Sequence, residues 1–468
     1  MSDVTALSLA EIAAAIRTRK VSSVEVTRAL LARIAAWQPT LNCFVRLEAE
    51  AALAEAAAAD AALARGDTVG ALHGVPLAHK DMYYVEGALA ECGSRIRKGF
   101  VAPATSTALV RLAAAGTVRL GALHMAEFAY GPTGHNAHLG PAHNAWDPTR
   151  ITGGSSSGSG TAVAARLTYA ALGSDTGGSI RLPAHFCGVT GLKPTYGRVS
   201  RANAMPLSFS LDTVGPLARS AEDCSLILAE IAGADPDDPT TAGAPGWDVR
   251  KTRRSVSDLA IGIPSAFYTD DLDADVARTF DDTLATLRRL GVRTVAVALP
   301  DQAAVSAAAR VVLAAEATSL HAPWLRTRPE DYGPQVRARL ENGLAFSAVE
   351  YLEALRWRGP ALAEHLAAIG DVDAVITPAS TSAAPTIVET DVGAGPDAEA
   401  AIAAITSFMR PVNYLGLPGL VVPAGWSAGG LPIGMQLIGR PFGDETLIAL
   451  GAAFQAVTDH HRKAPPDR

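Results

Sequence analysis

Two segments dense in glycine and serine hold the side chains best able to do chemistry. They are residues 151–160, Ile-Thr-Gly-Gly-Ser-Ser-Ser-Gly-Ser-Gly, and residues 173–183, Gly-Ser-Asp-Thr-Gly-Gly-Ser-Ile-Arg-Leu-Pro. A serine hydroxyl becomes a nucleophile once a nearby base removes its proton. Residues 72–81 end in Lys80 and Asp81, and so supply a candidate base. Burial favours the uncharged form of a lysine, because desolvation disfavours the ammonium.

Other chemistries fit these segments less well. A flexible linker at 151–160 would divide an otherwise compact unit. A phosphate-binding loop needs a lysine after the last glycine, and a dinucleotide loop needs G-x-G-x-x-G; neither is present. Residues 154–158 match G-x-S-x-G, but no downstream histidine has a distinctive setting. Residues 175–177, Asp-Thr-Gly, match the triplet that carries the catalytic aspartate of aspartic proteases. That chemistry would need a second such triplet, which is absent. The chemistry that remains is a serine nucleophile activated by a base other than histidine. Taken without the other segments, a lysine in the position of Lys80 would more often be a surface cation at the end of a strand.

Helices and strands alternate along the chain, and they must position these segments. Capping boxes at 8–11 and 22–25 predict two helices, the second ending before Pro39, and a third helix should end near Gly66. Later spacing predicts a strand–helix–strand unit followed by further buried strands, and hence an α/β fold. The predicted later elements are helices at 108–115, 162–172 and 273–290, and strands at 117–120, 259–263, 294–299, 374–377 and 420–423.

Composition bounds the class of protein. The 468 residues are 49% hydrophobic and 19% charged, which excludes a disordered chain. A net charge of −7 argues against a nucleic-acid partner. The four cysteines are far apart, which predicts reduced thiols in a cytoplasmic protein, with no metal site. Neither a signal peptide nor a membrane-spanning helix is expected.

The segments together resemble the amidase signature family, whose hydrolases use a Ser–Ser–Lys triad. The likeness extends over about residues 5–455. The resemblance implies one large domain, a mixed twisted β-sheet covered on both faces by α-helices. We predict a single domain over 1–468, with an N-terminal helical part (1–68), a catalytic core (70–230), a surface loop (234–256) and the rest of the sheet with its helices (257–468). The motifs that carry the resemblance are residues 74–81, 153–159, 173–183, 188–198, 413–418 and 431–439.

The resemblance also implies the roles of individual residues. Ser179 would be the nucleophile, Ser155 the bridging serine joined to Gly154 by a cis peptide, and Lys80 the base. Asp175 and Arg181 would shape the nucleophile's loop as a buried pair, without direct chemistry. The implied oxyanion hole is the backbone N–H groups of Thr176, Gly177, Gly178 and Ser179, and the implied substrate-binding residues are Tyr130, Gly131, Thr152 and Gly153.

The implied function is hydrolysis of a small carboxylic amide, or a related C–N acyl bond, to acid plus ammonia or amine. No cofactor is implied, and a homodimer is left open. Carbamates, hydrazides and ureido acids fit the same triad. Residues 186–201 also resemble the glutaminase component of tRNA-dependent amidotransferases. Those components usually carry Asp-Gly-Val-Arg-Tyr-Gly, which is absent from the comparable residues 315–324. We therefore favour a free-standing amidase over an amidotransferase component or an inactive binding protein.

Overall fold

An eight-stranded mixed β-sheet and a smaller three-stranded sheet organise the chain. The computed structural model describes residues 3–466. The strands are β1 (Phe44–Leu47), β2 (Pro76–Lys80), β3 (Val118–Leu123), β4 (Ala170–Asp175), β5 (Thr190–Lys193), β6 (Thr213–Ala218), β7 (Ala260–Pro264), β8 (Arg293–Val297), β9 (Ala374–Pro378), β10 (Gly419–Trp426) and β11 (Pro432–Gly439).

Fourteen α-helices are formed within the described residues, and several pack directly on the sheets. They are α1 (Leu9–Arg17), α2 (Ser23–Leu41), α3 (Ala49–Arg65), α4 (Thr107–Ala114), α5 (Ser157–Ala164), α6 (Arg181–Cys187), α7 (Ala221–Ile231), α8 (Ala274–Arg289), α9 (Gln302–Thr327), α10 (Pro334–Asn342), α11 (Ala348–Ile369), α12 (Pro396–Thr406), α13 (Arg410–Tyr414) and α14 (Asp444–Ala456).

The larger sheet has the strand order β4-β6-β5-β10-β11-β9-β7-β8. Neighbouring strands from β4 across to β9 pair antiparallel, whereas β7 pairs in parallel with both β9 and β8. Helices α6, α7, α8 and α14 pack on this sheet. The predicted α/β fold with one large mixed sheet flanked by helices is therefore confirmed.

The smaller sheet has the order β1-β3-β2 and carries the candidate lysine. Strand β2 runs parallel to β3, with Lys80 opposite Leu123. All five residues of β2 are buried, and β2 also packs against β4 of the larger sheet. The end of β2 therefore meets the glycine-rich segments at the junction of the two sheets.

Both predicted capping boxes are confirmed, and two helix predictions are wrong. Ser8 and Ser22 each exchange hydrogen bonds with the glutamate three residues on. Helix α2 does not end before Pro39 but continues to Leu41, because a proline this close to the end removes few helical hydrogen bonds. The helix predicted at 162–172 is instead the end of α5 followed by β4. Pairing of β4 with β6 along its whole length overrides the helix propensity of its alanines.

Helix α9 is long and apolar enough to cross a membrane, judged by length and composition alone. The 18-residue window that meets this criterion is 44% buried inside the protein. The helix also packs against α10, α11 and α13. These contacts are those of a helix that belongs to the folded core.

Candidate active site

Lys80, the last residue of β2, lies almost fully buried among three serine hydroxyls. Its Nζ is 2.6 Å from Ser155 Oγ, 2.9 Å from Ser174 Oγ and 3.3 Å from Ser156 Oγ. Burial lowers the pKa of Lys80 to about 7, against a smaller opposing effect of the Asp212 carboxylate. A lysine with this pKa is uncharged in a large fraction of molecules at neutral pH, so it can accept a proton.

The three hydroxyls match the valence of an uncharged amine. Such an amine has two N–H donors and one lone pair. Ser174 and Ser156 can accept the two N–H groups, which directs the lone pair toward the hydroxyl of Ser155 at the shortest of the three distances. The geometry therefore suits proton transfer from Ser155 to Lys80.

Ser155 lies in a fully buried segment, residues 151–160, that runs directly into α5. A buried, structured segment is not a flexible linker. The peptide bond between Gly154 and Ser155 is cis. A Cβ at position 154 would lie 2.4 Å from the carbonyl oxygen of Gly131, so only glycine allows this close approach.

Ser179 lies beside this segment and is partly exposed. Its carbonyl oxygen accepts a hydrogen bond from the Ser156 N–H at 3.3 Å. Within residues 3–466 the Ser179 hydroxyl has no hydrogen-bond partner, so contact between the hydroxyls of Ser155 and Ser179 is not closed in this structure. Hydrogen bonds of catalytic groups are often long before substrate binds. The structure thus joins Lys80 to Ser155 directly, and brings in Ser179 through the backbone next to Ser155.

Asp175 and Arg181 form the predicted buried pair, with both side chains fully inaccessible. Arg181 donates from Nε and from Nη2 to the two carboxylate oxygens, each at 3.0 Å. Burial opposes ionisation of Asp175, but the Arg181 charge and hydrogen bonds outweigh it and hold the pKa well below its usual value. Asn413 adds a further hydrogen bond to the carboxylate at 2.9 Å. The pair therefore fixes the loop that carries the nucleophile.

The same carboxylate also contacts one donor of the predicted oxyanion hole. The Gly178 N–H donates to Asp175 Oδ1 at 2.8 Å, so this donor already has an acceptor within the loop. The backbone N–H groups of Thr176, Gly177 and Ser179 have no acceptor within the described part of the chain. These three remain as donors for a developing oxyanion.

The four predicted substrate-binding residues lie close together, but they differ in what they offer. Tyr130 is partly exposed, and its carbonyl accepts a hydrogen bond from Arg339. Gly131 lies against Gly154. Thr152 is fully buried and its hydroxyl donates to the Gly153 carbonyl at 2.8 Å. Thr152, Gly153 and Gly131 are buried and support the loop from within, whereas Tyr130 is the member of this group that is partly accessible.

Sequence reasoning missed several groups that hold the triad. Ser174 and Ser156 are second and third partners of Lys80, and both lie inside the glycine- and serine-rich segments. Ser174 alternates with Asp175 on β4, so strand periodicity could have placed it on the opposite face. Gln436 of β11 accepts from Arg181 at 2.6 Å. A contact across 255 positions leaves no local signal in one sequence.

A cavity of about 220 Å³ reaches the lysine end of this arrangement, since Ser174, Met82 and Asp212 are among the residues that line it. No three His, Cys, Asp or Glu side chains among residues 3–466 are grouped so as to hold a metal ion.

The family profile described as Amidase matches residues 25–448 of this chain. The chain therefore belongs to the amidase signature family, whose members hydrolyse C–N amide bonds, and it is an amidase-family enzyme acting on small amide substrates. The sequence resemblance is confirmed.

Similar proteins differ in what they are named for. A glutamyl-tRNA(Gln) amidotransferase component from Geobacter metallireducens is 38% identical over 97% of this chain and 98% of that protein. A chain in a vestigial protein complex that reveals the evolutionary origins of an s-triazine catabolic enzyme is 36% identical, with a TM-score of 0.90 over 96% of this chain and 98% of its own length. The peptide amidase of Stenotrophomonas maltophilia is 29% identical, with a TM-score of 0.82 over 96% of each chain.

Proposed function

We propose that this enzyme cleaves a small carboxylic amide through an acyl-enzyme on Ser179, with Ser155 and uncharged Lys80 as the proton relay. The observation that carries the proposal is the 2.6 Å contact between Lys80 Nζ and Ser155 Oγ, made by a lysine whose pKa burial lowers to about 7. A surface lysine with a pKa of about 10.4 would be almost fully charged at neutral pH and could not accept this proton.

The relay runs in both directions during a turnover. Ser179 Oγ bonds to the amide carbon, while its proton passes to Ser155 and the Ser155 proton passes to Lys80. Thr176, Gly177 and Ser179 offer N–H groups to the oxygen that gains charge. When the C–N bond breaks, the proton returns through Ser155 to the leaving nitrogen, so ammonia or amine departs neutral. Water then repeats the sequence, cleaves the ester on Ser179 and releases the acid.

The direct test is turnover by the purified chain on a panel of aliphatic, aryl and peptide amides, carbamates, hydrazides, ureido acids and glutamine. We expect release of ammonia or amine by the wild type, and a loss of at least about a thousandfold in kcat in Ser179→Ala and Lys80→Met. The exposed Arg337→Met is a matched control for general damage. Wild-type rates in either triad variant would overturn the proposal.

A second candidate is the glutaminase component of a tRNA-dependent amidotransferase. The observation that favours it is 38–40% identity to such components over 97–98% of this chain. The comparable residues 315–324, which form part of α9, argue the other way, since they lack the Asp-Gly-Val-Arg-Tyr-Gly segment that such components usually carry. Glu316 there accepts hydrogen bonds from Ser210 and Tyr351, and the ring of His321 contacts that of Phe128 edge to face. Turnover confined to glutamine, and dependent on companion proteins, would favour this candidate.

We further propose a cytoplasmic location and no nucleic-acid partner for the free-standing enzyme. All four cysteines are free and buried, which suits a reducing compartment. The net charge of −7 supports the absence of a nucleic-acid partner. Fractionation of the native cells with an antibody to the protein tests the location.

A further inference from the structure

Asp212 is a buried carboxylate that the proposed proton relay does not use. It directly precedes β6, whose first residues pair with the end of β4. Strand β4 leads into the loop that carries Ser179, so this pairing sets Asp212 beside that loop. Asp212 and Ser174 also line the same cavity of about 220 Å³. Since Ser174 Oγ lies 2.9 Å from Lys80 Nζ, the cavity extends from the Asp212 carboxylate to a direct partner of the base.

Three hydrogen-bond donors surround the Asp212 carboxylate. The Thr176 hydroxyl donates to Oδ1 at 2.5 Å, and the backbone N–H groups of Leu207 and Ser208 donate to Oδ2 at 2.8 and 3.0 Å. Backbone N–H groups can only donate, so these bonds suit the ionised carboxylate. Burial raises the pKa of Asp212, and the three hydrogen bonds oppose that rise. The contacts also tie residues 207–212 to Thr176, whose N–H is one of the free oxyanion donors.

The negative charge of Asp212 is not neutralised by a cation in contact with it. Within residues 3–466, no lysine, arginine or histidine nitrogen lies within 4.0 Å of its carboxylate. The charge of Arg201 acts on Asp212, but the Arg201 guanidinium is paired with Asp238 at 3.1 Å. The charge of Asp212 is therefore available to a cation that forms nearby.

Lys80 is the group that gains most from this charge. Burial lowers the pKa of Lys80, and among the charges that raise it again, that of Asp212 comes first and that of Asp175 second. Asp175 is already paired with Arg181 at 3.0 Å, whereas Asp212 has no such partner. Asp212 is therefore the carboxylate best able to stabilise a positive charge on Lys80.

The elements that pack against β2 supply no other counter-charge within the described part of the chain. Besides β4, these elements are β3, α2 and α5, and α5 has no titratable side chain. Glu25 of α2 is exposed and bonded to Ser22. Asp81, next to Lys80 in the chain, accepts the N–H of Cys92 at 3.1 Å and has Arg46 at 3.7 Å. Burial raises the pKa of the Cys92 thiol, so it stays uncharged. The remaining titratable side chains on these strands and helices carry no negative charge: His79, Arg119, Arg28 and Arg33.

We infer that Asp212 is a positioning residue of the relay, whose carboxylate is the counter-charge of the ammonium that Lys80 forms during turnover. When Ser179 Oγ bonds to the amide carbon, the carbonyl electron pair moves to the oxygen and the relayed proton ends on Lys80. An uncharged triad and substrate thus become an oxyanion and a buried ammonium. A buried ammonium without a counter-charge is costly, so Asp212 stabilises the state in which the proton has been transferred. This inference rests on the proposed amide hydrolysis and adds a residue to its mechanism.

The variant Asp212→Asn removes the charge and can keep the contacts. Its amide oxygen can accept from the N–H groups of Leu207 and Ser208, and its NH₂ group can donate to the Thr176 hydroxyl, which accepts as well as donates. Asp237→Asn is the matched control, because Asp237 lines the same cavity but is exposed to solvent. Asp212→Ser is a second neutral variant, and circular dichroism checks that each variant is folded.

The direct test is the titration of Lys80 itself, followed by NMR of protein labelled with ¹³C at lysine Cε. The chain has six lysines, of which Lys80 and Lys193 are buried. The signal that disappears in Lys80→Met is that of Lys80. Its midpoint should fall by about one pH unit or more in Asp212→Asn and in Asp212→Ser, because an opposite charge nearby favours the ammonium. Asp237→Asn should leave this midpoint unchanged.

Lys193 is an internal control in the same spectra. It is a buried lysine on which other charges act, those of Arg181 and Asp175 first, so its midpoint should stay in place in every variant. An unchanged midpoint of Lys80 in folded Asp212→Asn would overturn the inference. An equal fall in Asp237→Asn would also overturn it.

The pH profile of kcat/KM gives a second readout. In Asp212→Asn the midpoint of the profile should fall together with that of Lys80, and kcat on the plateau should fall about tenfold. Thr176→Val removes one hydrogen bond to the carboxylate but keeps the charge, so it should lower kcat without moving the midpoint. A merely structural role of Asp212 would lower kcat with the midpoint in place, and that result would contradict the inference.

The NMR titration needs no turnover, and it therefore separates this inference from the proposed function. If the wild type cleaves no amide but the midpoint of Lys80 depends on Asp212, the proposed hydrolysis fails and the coupling of the two charges stands. If amides are cleaved and the midpoint of Lys80 is the same in Asp212→Asn, the hydrolysis stands and Asp212 is not the counter-charge.

Discussion

Lys80 is the residue whose protonation state governs the chemistry. Its pKa of about 7 results mainly from burial, since the carboxylate charges of Asp212 and Asp175 act to raise it. The uncharged form is the base, so the active fraction grows as pH rises through the pKa and shrinks as pH falls below it.

The first prediction concerns this pH dependence. The kcat/KM should rise with pH to a plateau above about pH 7, and should fall about tenfold for each unit below it. Asp81 is buried next to Lys80, and burial raises its pKa to about 7 as well. Asp81→Asn therefore serves as the control, and should keep the midpoint of the profile. A profile that is flat from about pH 5 to 8, or a midpoint that disappears in Asp81→Asn, would rule out Lys80 as the base.

A second prediction separates the serines around Lys80. Ser155→Ala should lower kcat by at least about a thousandfold, because the proton path to Ser179 is broken. Ser174→Ala removes a partner of Lys80 at 2.9 Å but no member of the relay. It should lower kcat far less and shift the midpoint of the pH profile, because the solvation of Lys80 changes. The measurement is the pH profile of kcat for both variants, and equal losses with unshifted profiles would contradict the assignment.

At the scale of elements, the loop from β4 to α6 presents the nucleophile, and Asp175 shapes it. Its carboxylate accepts the backbone N–H groups of Gly178 and Ile180 as well as the Arg181 side chain. Gly178 has φ of +120°, and a Cβ there would lie 2.8 Å from the Met409 side chain. The loop therefore tolerates little change in backbone or in charge.

A third prediction follows for Arg181. Replacing it by methionine leaves Asp175 buried without a partner, which should lower the free energy of unfolding by about 3–5 kcal/mol. Urea unfolding followed by circular dichroism measures the loss. The surface pair of Arg337 and Glu341 is the matched comparison, and Arg337→Met should leave the unfolding midpoint unchanged. A midpoint for Arg181→Met equal to the wild type would show that the pair does not hold the loop.

Local patterns predict some elements well and others poorly, and the difference has a physical origin. The capping boxes at Ser8 and Ser22 depend on contacts three residues apart, so the sequence displays them directly. Strand β4 depends on pairing with the distant β6, and the alanines of residues 162–172, which overlap its first half, by themselves indicate a helix. Family motifs predict the triad, because Lys80, Ser155 and Ser179 each lie within one of them.

The whole molecule brings the two sheets together at the catalytic residues. Strand β2 of the small sheet supplies Lys80, and β4 of the large sheet supplies Ser174 and leads to Ser179. One chain therefore contains every member of the relay.

A fourth prediction concerns this self-sufficiency. The purified chain should hydrolyse a small amide without companion proteins, because no member of the relay comes from elsewhere. Light scattering coupled to size exclusion, run beside the assay, gives the oligomeric state of the active species. Activity that appears only after addition of companion proteins would contradict the prediction and favour the amidotransferase component.

The most direct test of an acyl-enzyme on Ser179 is to locate the acyl group. A turnover reaction is quenched in acid, digested with trypsin and mapped by tandem mass spectrometry. The tryptic peptide 167–181 contains both Ser174 and Ser179, so fragment ions distinguish the two hydroxyls. We predict the acyl mass on Ser179 in the wild type and no adduct in Ser179→Ala. An acyl group on Ser174 or another residue, or one that persists in Ser179→Ala, would contradict the assignment of the nucleophile.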